Sequence, residues 1–423
     1  EPVAGILTRH DVLGRITLPG LALDTPVARA MSSPVHTLST RHSVQDAALL
    51  MAQHGIRHVP VTEHGRMVNI VSERDLFAWQ RLSLVHIGHA IRVADGVAAL
   101  SRCAADMRQY ARHLHGQGLR ARQLTDVVSR LNDQLTERLV LLFAARHGLD
   151  LQRACWLAFG SEGRSEQTLA TDQDNGLVFD SPDPQRDRPA WLAFARDVNQ
   201  ALDDCGYPLC KGGVMAGEAD CCLSPLEWAS RFDSWMAHGA PEDLLHASIY
   251  FDLRALAGRT ELATPLRARI VAGAARQPRF IKQMADNGLR LHVALNWRGA
   301  IDTQRIDGHD VVDLKLGGTA VFVDVARLLA LAHGIDATGT RARLEAAGAR
   351  LQVPAHESEA WVAAFEVLQR LRLQVQMSDA PTLAAHPNRV AVDLLNDLDR
   401  RMLRESLRVA RRLQQRLEMD YQR

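Results

Sequence analysis

Leu157-Ala158-Phe159-Gly160-Ser161-Glu162-Gly163-Arg164-Ser165-Glu166-Gln167, followed by Thr171-Asp172-Gln173-Asp174-Asn175-Gly176-Leu177, is the stretch that decides how this chain is read. The apolar run Ala154 to Phe159 has the character of a buried strand, and it stops at Gly160-Ser161, where a helix should begin. Glycine lets a ligand approach the backbone closely. The turn N–H groups, the Ser161 hydroxyl and the positive helix end then make a seat for an anion. Arg164, one turn further, can aim its guanidinium at phosphate oxygens. Asp172 and Asp174 lead into the apolar strand Gly176-Leu177-Val178-Phe179. Alternate side chains of an extended chain share a face, so both carboxylates point one way and Gln173 the other. Carboxylates that close repel unless a cation sits between them. Mg²⁺ suits them, because it takes one or two carboxylates plus substrate phosphates. A lone Gly-Ser or Asp-x-Asp is weak evidence, and the competing reading is a capped helix beside a solvated acidic turn. The ordered set predicts a nucleoside-triphosphate site.

Working outward, residues 151–240 mix strands with helix. Leu192 to Cys205 is expected helical and Pro208 to Ala216 extended, which indicates an α/β or α+β unit. Residues 81–150 are expected to be helices punctuated at Gly116 and Gly118. Leu124, Val127, Val128, Leu131, Leu135, Leu139 and Leu142 form one apolar stripe there, ended by Arg146-His147-Gly148. Residues 241–423 are expected to be helical almost throughout, with breaks at Pro241, Pro265, Pro278, Pro354, Pro381 and Pro387. The last helix should run from about Asp393 to Gln422, with Leu394 and Leu398 in its apolar face and its arginines interspersed with acids. Gly317-Gly318 is expected to form a hinge or a close packing contact.

The N-terminal part holds an internal repeat. Ile6-Leu7-Thr8-Arg9-His10-Asp11 corresponds to Ile70-Val71-Ser72-Glu73-Arg74-Asp75 at an offset of 64 residues. Each copy has a short strand, a hydroxyl residue and a helix with an acid in its first turn, and the hydroxyl is a natural N-cap. The second copy is complete. It opens near Pro26, has a helix from Ser43 with Val44, Ala47, Ala48 and Met51 on one face, and strands His58 to Val61 and Met67 to Val71. The first retains only its last strand and helix. This resembles a CBS pair, a module that binds an adenine nucleotide, AMP or ATP, between two repeats. The resemblance implies Thr8, Asp11, Ser72 and Asp75 as ligand contacts; plain helix capping is the alternative.

The central string is similar to the nucleotidyltransferases of the polymerase-beta superfamily. Within it, GSEGRSEQTLATDQDN resembles a bacterial family of CBS-domain-containing nucleotidyltransferases related to the PII uridylyltransferase and the glutamine-synthetase adenylyltransferase. Ser129-Arg130-Leu131-Asn132-Asp133, Pro208 to Ala216, Tyr250-Phe251-Asp252-Leu253-Arg254 and Asp313-Leu314-Lys315-Leu316-Gly317-Gly318 carry the resemblance further along the chain. It implies Mg²⁺- or Mn²⁺-dependent transfer of a nucleoside monophosphate from an ATP- or UTP-type triphosphate to an acceptor hydroxyl. Gly160 and Ser161 would hold the triphosphate, Asp172 and Asp174 the metal, and Arg164 would neutralise phosphate charge. Lys211 with Gly212 and Gly213, and Lys315, are further nucleotide-binding candidates. Many members of the superfamily use a third carboxylate on a later strand; Glu218, Asp220 and Asp252 are the options, with Asp252 expected helical, structural and paired near Arg254.

Composition bounds the partners. Lys plus Arg is 50 and Asp plus Glu is 49, a balance that argues against a sequence-blind nucleic-acid binder. A hydrophobic fraction of 47% with 23% charged residues is that of an ordered globular chain. The best candidate for a membrane span, Thr319 to Leu331, carries Asp324 and Arg327, so no span is expected. The first residues lack a basic start and an apolar run, and six cysteines are too few for a disulfide framework, so a cytoplasmic location is expected. Cys205, Cys210, Cys221 and Cys222 fit thiols better than a zinc site, since adjacent cysteines rarely reach one tetrahedral ion. The expected architecture is α+β and mostly helical. It comprises a partial CBS pair at 1–80, a helical connector at 81–150, a polymerase-beta-like nucleotidyltransferase domain at 151–240 and a C-terminal helical bundle at 241–423. The expected function is nucleotidyl transfer to a protein or small molecule, regulated by adenine nucleotide at the CBS pair. The alternative is an inactive nucleotide-sensing module that binds a protein partner. The CBS resemblance also implies a homodimer.

Overall fold

The computed structural model describes residues 3–22, 24–116, 120–377 and 386–421, and the side chains of 77–83 lie outside the description. Gly118, Pro381 and Gln422 therefore fall outside it. The chain folds as two compact units, Glu1–His86 and Ile87–Arg423.

In the first unit, β1 (Leu38–Ser39) runs parallel to β2 (His58–Glu63), and β2 pairs antiparallel with β3 (Arg66–Ser72). Helix α1 (Val44–His54) forms the β1–β2 crossover. Ser43 starts it with a reciprocal capping box: the Asp46 N–H donates to the Ser43 hydroxyl, while the Asp46 carboxylate accepts the Ser43 N–H. Ala47 and Met51 are buried, but Val44 and Ala48 are exposed, so the inward face is narrower than its sequence spacing predicts. In the first repeat, Ile6 makes only an isolated bridge to Ser32, followed by a short helical stretch, Arg9–Asp11 running into Val12–Thr17.

Helix α2 (Glu73–Val93) contains the boundary between the units. In the second unit, α3 (Val97–Gly116) and α4 (Ala121–His147) follow, and α4 ends at Gly148 in the left-handed region. The predicted stripe on α4 is inside: Leu124, Leu135 and Leu139 are fully buried. Next comes a four-stranded sheet in the order β6 (Cys222–Leu223), β5 (Asn175–Phe179), β4 (Ala154–Ala158), β7 (Arg254–Gly258). Strands β4 (Ala154–Ala158) and β5 (Asn175–Phe179) are antiparallel, with every residue of both buried. Along the chain β5 is followed by α5 (Pro184–Asp204), started by the Asp183 cap and Pro184.

Two expectations are corrected here. Pro208 to Ala216 is not a strand; Pro208, Gly212 and Gly213 break the ladder, and only scattered bonds tie it down, such as Gln173 N–H to Pro208 O and Asn175 N–H to Val214 O. The parallel neighbour of β5 is instead the two-residue β6 (Cys222–Leu223). The fourth strand, β7 (Arg254–Gly258), comes from the stretch expected to be helical and pairs antiparallel with β4. Its Arg-Ala-Leu-Ala composition favours helix, and pairing with a buried strand overrides that preference.

Helices α6 (Pro225–His238) and α7 (Pro241–Tyr250) pack under the sheet, each with proline at its first position. The remainder is a bundle of α8 (Ala263–Ala275), α9 (Pro278–Gly288), α10 (Ala320–Ala332), α11 (Thr340–Arg350), α12 (Ala355–Gln376) and α13 (Asp397–Tyr421). A small antiparallel sheet, β8 (Gln304–Ile306), β9 (His309–Asp313) and β10 (Arg389–Ala391), interrupts the expected run of helix. The apolar run Thr319 to Leu331 is the central helix of this core, with Val321, Phe322, Val325 and Leu329 buried. The last helix starts at Asp397, later than expected, and buries Leu403, Leu407, Leu413 and Leu417, whereas Leu394 and Leu398 face solvent. Among the described residues, no helix is long and apolar enough to cross a membrane.

Candidate functional site

The site is built where β4 ends and β5 begins. Because these strands are antiparallel neighbours, Phe159 N–H donates to Asp174 O (2.8 Å), which places the Gly-Ser turn beside the Asp-x-Asp segment. Gly160 has φ +49°, and a Cβ there would lie 2.4 Å from Asp174 Oδ2. Only glycine meets both conditions. The helix expected after Ser161 is a single turn, Gly160–Gly163. A turn that short has little macrodipole, so an anion seat here rests on N–H groups and the Ser161 hydroxyl, which lies 3.2 Å from Thr171 Oγ1. The turn is pressed against its neighbours: a Cβ on Gly163 would lie 2.1 Å from the carbonyl oxygen of Asp252.

Asp172 is exposed and Asp174 half-buried, and both line one cleft with Gly160 and Ser161. Burial pushes the Asp174 carboxyl up to about 6. A thiol contact from Cys210 (3.6 Å) and the charges of Arg164 and Lys315 oppose the rise, and Asp172 adds to it. Gln173 turns away, as strand alternation requires. Its Nε2 donates to the carbonyls of Asn199 (3.0 Å) and Tyr207 (2.8 Å). The Asn199 amide on α5 donates to both Gln173 Oε1 (2.8 Å) and Asn175 Oδ1 (2.9 Å), and accepts from Gly217 N–H (2.8 Å). Asn199 thus grips both residues that alternate with the two aspartates. Nothing in its sequence neighbourhood flags this role; the signal is three-dimensional.

Behind the turn, Asp252 is fully buried and accepts from Arg164, Arg327 and Arg343. It follows α7 in a turn and is not helical. Its pairing with these three arginines replaces the expected pairing near Arg254, which instead makes a two-pronged bond to Asp133 on α4 (2.8 and 2.9 Å). Burial opposes ionisation of Asp252, but the three guanidinium groups hold its carboxyl well below the usual range. Arg164 is therefore committed: Nη1 to Asp252 and Nε to Glu166 (2.9 Å). Glu166 in turn accepts from the Thr340 hydroxyl (2.9 Å) and N–H at the start of α11. The segment after the Gly-Ser turn is thereby fastened to the helical bundle. Beside it, Glu162 is buried with its carboxyl pushed up to about 8, first by desolvation and then by Asp133.

The cleft has a volume of about 630 Å³. Its opposite wall comes from the bundle, including Lys315, Asp324, Arg327, Gln369 and Arg372. Of these, Lys315 is a nucleotide-binding candidate from the sequence, whereas Asp324 and Arg372 are not. Asp324 and Arg327 stand out in the sequence only as charges that disqualify a membrane span, and a charged pair in an apolar helix is the signal that could find them. Lys211, Gly212 and Gly213 are not among the residues that line the cleft; Lys211 sits in an exposed turn. Glu218 and Asp220 are exposed and off the cleft wall, Asp220 pairing with Arg231.

In the first unit, Thr8 with Asp11 and Ser72 with Asp75 form reciprocal capping boxes, each carboxylate taking the hydroxyl at 2.6 Å. These bonds hold both acids below their ordinary range. Cys205, Cys221 and Cys222 are buried and Cys210 half-buried. Among the described residues, no three His, Cys, Asp or Glu side chains are grouped so as to hold a metal.

The chain is similar to known proteins over several stretches. The chain is 39% identical over 72 residues to "CBS domain-containing protein YhcV" of Bacillus subtilis, covering 17% of this chain and 51% of that protein. It is 35% identical over 78 residues to an uncharacterized protein of Methanopyrus kandleri, covering 18% of this chain and 39% of that one. The chain thus spans about half the length or less of these curated relatives. A solved structure titled "The structure of a putative signal-transduction protein with CBS domains from Burkholderia ambifaria MC40-6" is 27% identical, covering 19% of this chain and 60% of that one, with a TM-score of 0.18. Family matches cover most of the chain: "CBS domain" at 27–81, "Putative nucleotidyltransferase DUF294" at 105–242 and "Putative nucleotidyltransferase substrate binding domain" at 278–421. With both halves of that pair in order behind a CBS domain, the chain belongs to the CBS-domain-containing nucleotidyltransferase family.

Proposed function

We propose that this chain is a Mg²⁺-dependent nucleotidyltransferase that moves a nucleoside monophosphate from an ATP- or UTP-type triphosphate to an acceptor hydroxyl. The observation that carries the reading is the juxtaposition of Gly160-Ser161 with Asp172 and Asp174 on one cleft wall. The residues fit a hard divalent cation. Asp174 is a half-buried carboxyl that lines the cleft with Asp172, and burial raises it to about 6, an arrangement that a bound cation relieves. Asp172 and Asp174 would hold that ion, whose chemistry is to neutralise phosphate oxygens during an in-line displacement. The chain's own part is positioning. Ser161 and the turn N–H groups bind the polyphosphate, Asn199 fixes the direction of the Asp-x-Asp, and Asp252 orients Arg164 and Arg327 along the wall. Arg164 acts as a bridge between the turn and the bundle as much as a phosphate ligand, because Asp252 and Glu166 occupy two of its nitrogens.

The test is incubation of the full chain with α-labelled triphosphates and Mg²⁺, in the presence of extract from the source organism. Label appears on an acceptor with wild type and not with Asp172→Asn/Asp174→Asn; equal labelling by the double variant contradicts the assignment. A second reading has its own support. Glu218 and Asp220 lie off the cleft wall and Asp252 is locked by three arginines, so none of the three is placed to serve as the third carboxylate. On that reading the cleft binds triphosphate and signals to a protein partner without turnover, so binding persists with no pyrophosphate released in any acceptor screen. Under either reading the CBS part, through Thr8, Asp11, Ser72 and Asp75, would take AMP or ATP as a regulatory ligand.

A further inference from the structure

Arg372, on α12, is a buried arginine with no carboxylate within ion-pair distance among the described residues. It is 8% exposed and lines the cleft. Among those residues its hydrogen bonds go to neutral oxygens: Asn388 Oδ1 (2.8 and 3.1 Å), Gln369 Oε1 (2.8 Å) and Thr319 Oγ1 (3.4 Å). The other buried arginines nearby are compensated: Arg164, Arg327 and Arg343 share Asp252, and Arg267 holds Asp336. A buried cation with only amide and hydroxyl neighbours is costly. Here the amides hold the guanidinium in place, and no carboxylate among the described residues pairs with it directly.

The surroundings indicate what completes it. Arg372 feels Arg164 and Glu166, which belong to the segment that follows the Gly-Ser turn, and Asp313, which precedes Lys315. From the bundle wall it is therefore within electrostatic reach of the segment that follows the phosphate seat. Lys315 lines the same cleft, makes no ion pair among the described residues, and its charge reaches Asp174. Planar guanidinium groups match the oxygens of phosphates, and an ammonium serves as a mobile point charge beside them.

We propose that Arg372 and Lys315 form a subsite on the bundle wall for the polyphosphate tail of the nucleotide, so that the helical region grips the same ligand that Gly160 and Ser161 seat. This rests on the nucleotidyltransferase reading and adds Arg372, with its cradle of Gln369, Asn388 and Thr319, to the nucleotide-binding residues. It also gives the bundle a role in closing over the phosphates, alongside any role in presenting the acceptor.

The probe is inorganic tripolyphosphate with Mg²⁺, titrated calorimetrically into the full chain; inorganic phosphate serves as the short-ligand comparison. Arg372→Gln should weaken tripolyphosphate at least tenfold, and Arg372→Lys should recover part of the loss. Lys315→Met, at an exposed position that tolerates replacement, should weaken it severalfold. The two Arg372 variants should leave Mn²⁺ affinity unchanged. Phosphate alone should respond less than tripolyphosphate, because it cannot span both walls. If Arg372→Gln proves unstable, Lys315→Met and Arg372→Lys still decide the matter. Wild-type tripolyphosphate affinity in those variants overturns the subsite while leaving the nucleotidyltransferase reading intact. Failure of the wild-type chain to bind tripolyphosphate overturns both.

Discussion

Replacing Gly160 by alanine tests the site through its tightest contact. Two costs add. At φ +49° an L-residue pays about 1–2 kcal/mol for the left-handed backbone. The new methyl would also lie 2.4 Å from Asp174 Oδ2 and 3.2 Å from its Cγ, so the carboxylate or the turn must move. Forced repacking of that kind costs about 1–3 kcal/mol. The sum is about 2–5 kcal/mol, read by urea unfolding. Gly148 supplies the control: its φ is +63°, yet a Cβ there meets nothing within 4 Å, so Gly148→Ala pays only the backbone cost. The difference between the two variants isolates the clash with Asp174. In parallel, Mn²⁺ affinity should fall at least tenfold in Gly160→Ala and stay unchanged in Gly148→Ala. Equal stability losses in the two variants, together with wild-type Mn²⁺ binding by Gly160→Ala, would refute the claim that the turn and Asp174 form one site.

Asp174→Asn should trade function for stability. The folded carboxyl is raised to about 6 from 3.8, so the native state keeps a proton that the unfolded chain has lost, and stability falls as pH rises from about 4 to about 6. The asparagine variant lacks that loss and, above pH 6, should be more stable by up to about 3 kcal/mol while binding no Mn²⁺; urea midpoints across pH check it. Glu162→Gln follows the same sign over a different window. Its gain over wild type should grow between about pH 4.5 and 8, and a pH-independent difference would show that Glu162 is not held neutral. Asn199→Leu leaves Gln173 Oε1 and the Gly217 N–H without partners, while Asn175 Oδ1 keeps the Ala216 N–H; each group left unsatisfied costs about 1–3 kcal/mol, and Mn²⁺ affinity should drop with stability. Asp252→Asn removes the carboxylate shared by three buried guanidinium groups, leaves Arg343 with no ion pair among the described residues, and should cost about 3–5 kcal/mol in urea unfolding.

The parts legible in the sequence are those fixed by local pattern. The apolar run into Gly160-Ser161, the alternation at Asp172-Gln173-Asp174 and the 3–4 spacing on α4 each report their own structure, because a strand or helix face is written into consecutive residues. The illegible parts depend on partners far along the chain. β7 reads as helix until it pairs with β4, and Asp252 reads as a neighbour of Arg254 until residues 164, 327 and 343 converge on it. On the bundle wall of the cleft, Arg372 has no local signature, and Asp324 shows only as a charge in an apolar helix. Lys211, beside two glycines, has the composition of a phosphate loop, yet the turn that carries it stays off the cleft wall.

Where a divalent cation and a triphosphate bind is the central question. Crystals of the full chain soaked with Mn²⁺ and a non-hydrolysable triphosphate, measured for anomalous scattering at the manganese edge, address it directly. The expected result is a peak bridging the carboxylates of Asp172 and Asp174, with phosphate oxygens against Ser161. Manganese bound elsewhere, with both carboxylates unliganded and the triphosphate away from the Gly160-Ser161 turn, would contradict it.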